Sequence, residues 1–193
     1  MATTAHAAPS PLPAVQRYFE ISLYLLVTTS VLAVALTGKL DLVSTILAPA
    51  ALIFKGIRVW RGRGPELSAR LATGLVLSYF LFFPMDLWIV SRSMAAGAPN
   101  PSLYAGLLAA IHLMLFALLV RLFSARTTRD FVFLAMLAFT AMLASAILTV
   151  DTTFLVSLSA FLVLAVSTFV GLEIRRGAEG AVSPPLEAGS PAA

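Results

Sequence analysis

Two uncharged apolar runs, Phe131–Val150 and Thr152–Leu172, stand almost back to back with only Asp151 between them. Each is long enough to cross a hydrocarbon core of roughly 30 Å as a helix rising about 1.5 Å per residue. In lipid the backbone must close its own hydrogen bonds. Long, even apolar runs do so as helices, whereas a membrane barrel needs alternating segments of about ten residues. Reading backwards, Ser102–Val120 is a third span, Leu71–Val90 a fourth with Asp86 near its end, and Phe19–Leu36 a fifth with Glu20 at its edge. Leu42–Trp60 completes six, although Pro49 interrupts it and it carries Lys55 and Arg58. Those two basic side chains are expected to reach the interface by snorkelling along their aliphatic stems.

The fold class that follows is all-α, a polytopic transmembrane bundle of about six helices. With 60% hydrophobic and only 11% charged residues, the chain is far more apolar than a soluble domain of its length. The connections Thr37–Asp41, Arg61–Arg70, Ser91–Pro101, Leu122–Asp130 and Asp151 leave no room for a soluble domain between helices. We therefore divide the chain into a flexible N-terminal tail (residues 1–14), one transmembrane helical domain (15–176) and a flexible C-terminal tail (177–193), both tails being rich in Ala, Pro, Gly and Ser.

Basic residues flanking membrane spans are retained on the cytoplasmic side. With six alternating helices, Arg17, Lys55, Arg58, Arg61, Arg63, Arg70, Arg121, Arg126, Arg129, Arg175 and Arg176 fall on one side, and only Lys39 and Arg92 on the other. Both termini are thereby expected in the cytoplasm, in a multi-pass membrane protein. The net charge of +4 needs no nucleic-acid partner, because anionic headgroups of the lipid bilayer meet these residues. An alternative parse takes the start as a secretory signal, with Arg17 as its basic region and Ala33-Val34-Ala35 as its cleavage site.

Charged or polar groups inside the spans are the natural candidates for function. Pro84 removes a helical hydrogen bond, so the third helix is expected to kink or break there, with Asp86 complementing the start of a new outer segment. A buried acid of this kind can also mark an ion or proton site. Its one candidate partner is His112. Counted from the helix ends, His112 lies about 13 Å and Asp86 about 6 Å below the outer boundary. The depths argue against a direct pair, and a histidine bonded to another helix is expected instead. Small residues at four-residue spacing, Gly74 and Ser78, Gly106 and Ala110, Ala141 and Ser145, are expected to let helices approach closely. Tyr18, Trp60, Trp88 and Tyr104 fall where amphipathic rings anchor a span at the interface.

The stretch RLFSARTTRD, residues 121–130, places Arg121, Arg126, Arg129 and Asp130 between two long apolar runs. Locally, Asp130 is expected to begin a helix and accept from its free amides, while Arg126 and Arg129 face lipid phosphates. Followed by Phe131-Val132-Phe133-Leu134, the turn resembles one in the N-terminal membrane domain of bacterial transglutaminase-like proteins of the TgpA type, where K/R-L-L/F-x-x-R-x-x-R-D joins two helices. The likeness spans roughly residues 19 to 176. It includes the turn Val59-Trp60-Arg61-Gly62-Arg63-Gly64-Pro65 and the closing Glu173-Ile174-Arg175-Arg176. Two departures mark a divergent member: Ser124 stands where a glutamate is common, and Ser145–Asp151 replaces a Phe-Ser-Gln.

The resemblance implies a helical anchor for a downstream extracytoplasmic transglutaminase-like core. Such a core needs a cysteine nucleophile activated by histidine, and this chain has no cysteine. It also carries no HExxH, GxSxG, phosphate-binding glycine loop or metal-ligand spacing. The expectation is a non-catalytic membrane anchor or scaffold without cofactor. The alternatives are a small accessory subunit working with other membrane subunits, and a small transporter or channel using Asp86 and His112.

Overall fold

The computed structural model of the protein describes residues 12–61, 67–149 and 151–182, and among these the regular structure is entirely helical. The elements are α1 (Leu12–Leu36), α2 (Leu42–Trp60), α3 (Ala69–Met85), a π-helical segment (Asp86–Ser91), α4 (Arg92–Met94), α5 (Pro101–Ser124), α6 (Thr128–Leu148) and α7 (Thr152–Val182). Six stretches are long and apolar enough to cross a membrane, the third being the continuous run Arg70–Met94 through α3, the π-helical segment and α4. The bounds of α2 are those expected from the sequence, whereas α7 runs six residues past the expected domain end at Arg176. The N-terminal tail up to residue 11 and the C-terminal tail beyond 182 lie outside the described residues.

Polar side chains set most of the helix starts. Asp41 accepts from the amide of Ser44 at the head of α2, Ser68 from Leu71 at the head of α3, and Asp151 from Phe154 at the head of α7. Pro101 occupies the first turn of α5, where its missing N–H leaves nothing unsatisfied. Gly38, between α1 and α2, has φ +64°, a left-handed conformation that glycine adopts without a Cβ clash.

The core is arranged around α1, which packs against α7, α6 and α2. Its residues Phe19, Leu23, Leu26, Val27, Val31 and Val34 are buried at helical spacing. Half of the most apolar stretch of α1 is buried, against 6% of that in Arg70–Met94, so α1 is the centre of the bundle. A second contact set joins α5 to α3, to the π-helical segment, to α6 and to α2. The outward faces of α2, α3 and α7 carry Leu42, Ile46, Leu77, Leu81, Val156 and Val163 in exposed positions, as contact with a lipid bilayer requires.

The small-residue pairs divide. Ala141 and Ser145 are buried, and the Ser145 hydroxyl donates to the carbonyl of Ala33 across the α1–α6 contact at 3.0 Å. Gly74 and Ser78 are exposed, and Gly74 and Gly106 have open space where a Cβ would stand, so those two pairs hold no helix close. The closest approach falls at Gly56 instead. A Cβ there would meet the ring of Tyr24, whose Cζ lies 2.9 Å from that position. Tyr24 in turn donates its hydroxyl to the carbonyl of Leu52 at 2.8 Å, fastening α1 to α2.

Candidate functional site

Two groups of ionisable side chains stand toward opposite ends of the bundle, the first buried and the second around an exposed turn. The first forms where α3 and its π-helical continuation run antiparallel to α5. Tyr79 and Asp86 are seven residues apart, hence on one helix face, and His112 and Phe116 four apart on the facing one. The Tyr79 ring stacks on Phe116 with centroids 4.6 Å apart. Asp86 sits against His112, with its Oδ1 and Oδ2 at 3.2 and 3.1 Å from Nδ1, and it accepts from the Tyr79 hydroxyl at 3.2 Å. On the other side of the imidazole, Nε2 lies 3.1 Å from Asp41 Oδ1. That contact is close but misaligned, since neither atom has a hydrogen-bond partner.

The Asp86–His112 pair corrects the expectation drawn from helix depths. The third span does not end at Val90 but continues to Met94, eight residues beyond Asp86, which is about 12 Å at the helical rise. On α5, His112 lies eleven residues in from Pro101, about 16 Å. The mismatch narrows from about 7 Å to about 4 Å. The expected break at Pro84 is absent as well. α3 continues through the proline, and its altered hydrogen bonding appears just afterwards as the π-helical turn Asp86–Ser91. Asp86 therefore caps nothing and points its carboxylate into the bundle.

Asp41 was not among the residues singled out from the sequence. Its signal was an aspartate directly before the apolar run of α2, the usual place of an N-cap. Burial by itself would raise its pKa, but hydrogen bonds from Ser44 and the charge of His112 outweigh that and hold the carboxyl below its ordinary value. Chemically, a neutral imidazole can donate from one nitrogen only, whereas an imidazolium donates from both. The row Asp41, His112, Asp86 and Tyr79 can thus take up or release a proton beside two carboxylates. The carboxylates face opposite ring nitrogens and do not converge on one point. Among the described residues no three His, Asp or Glu side chains are grouped to hold a metal ion.

The second group lies at the other end, around the turn between α5 and α6. Thr127 is the N-cap of α6 and Asp130 its third residue, and the two form a capping box. Asp130 accepts from the amides of Arg126 and Thr127 at 3.2 and 3.0 Å and from the Thr127 hydroxyl at 2.9 Å, while its other oxygen lies 3.4 Å from Arg121. The helix thus begins at Thr128 rather than at Asp130, and the amides that Asp130 satisfies belong to the turn before it. Arg129 borders an outward groove with Arg121 and Arg176, and Arg126 borders an inner pocket of about 450 Å³.

Lys55 opens into that same pocket. It is only 7% exposed and lies 5.4 Å over the ring of Phe123. Between the two charged groups the bundle is filled by Leu26, Val27, Ala48, Leu52, Leu115 and Leu118, all buried. No family model, curated protein or solved structure matches the chain.

Proposed function

We propose that this chain is a non-catalytic membrane anchor or scaffold, the helical domain of a transglutaminase-like protein, lying in a bacterial inner membrane with both termini in the cytoplasm. The observation that carries the reading is the clasp between Arg121 and Asp130. The most specific of the motifs by which the chain resembles such proteins closes α5 onto α6 through a capping box and an ion pair, a structural task. The apolar layer around Leu115 and Leu118 adds support, because it separates the two charged groups as a scaffold allows and a conduit does not. The excess of basic residues at the Arg126 end supports a cytoplasmic position for that end.

The test is the mass of the polypeptide in its own membranes, detected with an antibody against residues 183–193. A product much heavier than 20.5 kDa, carrying an extracytoplasmic core, is the expected result. A product at 20.5 kDa overturns the anchor reading.

The row of Asp41, His112, Asp86 and Tyr79 favours a second reading, a small proton-coupled transporter, since buried ionisable groups in membrane helices often mark ion paths. Under that reading, purified protein in liposomes carries a pH-driven proton flux that Asp86→Asn abolishes. Flux no greater than in empty liposomes rules it out.

A further inference from the structure

We propose that the pocket at the Arg126 end binds an amphiphilic anion, with a carboxylate or phosphate head on Lys55 and an apolar body among the helices. Lys55 supplies the first reason. It is more than nine-tenths buried and lies over the Phe123 ring, yet among the described residues no carboxylate lies within ion-pairing distance of its ammonium, and Glu20 attracts it only from farther off. A buried ammonium in a membrane helix is normally closely paired, and this one is not. It faces the pocket.

The rest of the lining supplies the second reason. Arg126 stands at the same pocket, so it and Lys55 face a single carboxylate, that of Glu20. Glu20 already accepts from Gln16 at 3.0 Å. An anion entering the pocket therefore meets more positive than negative charge from these three groups. The rest of the lining is largely apolar, with Leu23, Val59, Leu122 and Leu134. A volume of about 450 Å³ falls within the range of small-molecule sites and is far more than a lone phosphate or chloride needs. Basic side chains beside apolar walls match a molecule with a charged head and an apolar body.

The test uses the full chain in an uncharged detergent, with binding read by native mass spectrometry and by the shift in unfolding temperature. The probes are oleate and oleoyl lysophosphatidate. Oleyl alcohol keeps the body without the charge, and inorganic phosphate keeps the charge without the body. Both amphiphilic anions are expected to bind and to raise the unfolding temperature, the two controls to do neither, and Lys55→Met to weaken binding about tenfold, the scale of one charge-assisted hydrogen bond. Oleyl alcohol binding as well as oleate overturns the proposal, as does phosphate alone giving the full shift, which would make this a site for soluble anions. If Lys55→Met does not fold, a diazirine-bearing fatty acid cross-linked to the unaltered protein decides. Adducts at Leu122 and Leu134 support the site, and adducts confined to the outward faces of α3 and α7 overturn it.

Discussion

His112→Leu should be the most destabilising single change in this chain, costing about 3–5 kcal/mol, the usual penalty for stranding a buried charge. Leucine has nearly the volume of histidine, so the loss is electrostatic more than steric. Without the imidazole, Asp86 keeps only the Tyr79 hydroxyl, and Asp41 keeps only its cap on Ser44. Two carboxylates that had each faced a ring nitrogen then lie on either side of an apolar side chain. A second substitution should recover part of the loss. Asp86→Asn in the His112→Leu background removes one of the stranded charges, so the double variant should be more stable than His112→Leu alone and the two effects far from additive. Acid should narrow the gap in the same direction. The Asp41 carboxyl is held below its ordinary value in the folded protein, so its contribution is complete at neutral pH and fades as the pH falls through that lowered value. Denaturant unfolding in detergent, at neutral and at acid pH, measures all three effects. A single-variant cost under about 1 kcal/mol, the size of an ordinary exposed pair, would show that the row carries no special burden.

What the sequence reveals of this protein and what it hides divide along a physical line. The six spans are legible because lipid imposes length and apolarity on each segment separately, with no knowledge of its neighbours. Even α2, with a proline and two basic residues, keeps the bounds that its apolar run suggests. The end of the third span is hidden because Ser91, Arg92 and Ser93 look like a loop, whereas Ser91 closes the π-helical turn and Arg92 and Ser93 continue the helix beyond it. That false end carries directly into the depth of Asp86. The direction of Lys55 was hidden for a different reason. Its stem reaches either way, and Phe123 on another helix settles the matter. Spacing of small residues likewise shows where a helix is narrow and not whether another helix lies against it, which is why Ala141 and Ser145 pack while Gly74 and Ser78 stay open. The Asp41 contact to His112 joins residues seventy positions apart, and only the cap half of its role is written locally.

The turn at Asp130 lies at the opposite extreme, since its hydrogen bonds run within five residues and only the Arg121 pair reaches back to α5. Asp130→Ala should cost about 2 kcal/mol, the upper range for loss of a helix cap. Three donors lose their acceptor at once: the amides of Arg126 and Thr127 and the hydroxyl of Thr127. Water can reach a turn at the end of a bundle, so the amides are not stranded as deeply as His112's partners would be, which keeps the cost below that of the buried row. The Arg121 pair adds little, because the arginine is 40% exposed and the contact is long. Two further substitutions separate these contributions. Arg121→Gln should cost under about 1 kcal/mol. Thr127→Ala should cost about 1 kcal/mol, because it removes the hydroxyl that accepts from the amide of Asp130 while leaving the carboxylate to hold the two turn amides. Thermal unfolding in detergent ranks the three, and the amount of protein inserted in membranes should follow the same order, because α6 must start at this turn for the last two helices to lie against α1. An Asp130→Ala variant with unchanged stability and abundance would mean that lipid and the packing of α5 on α6 hold the hairpin without the clasp, and would remove the observation on which the anchor reading rests.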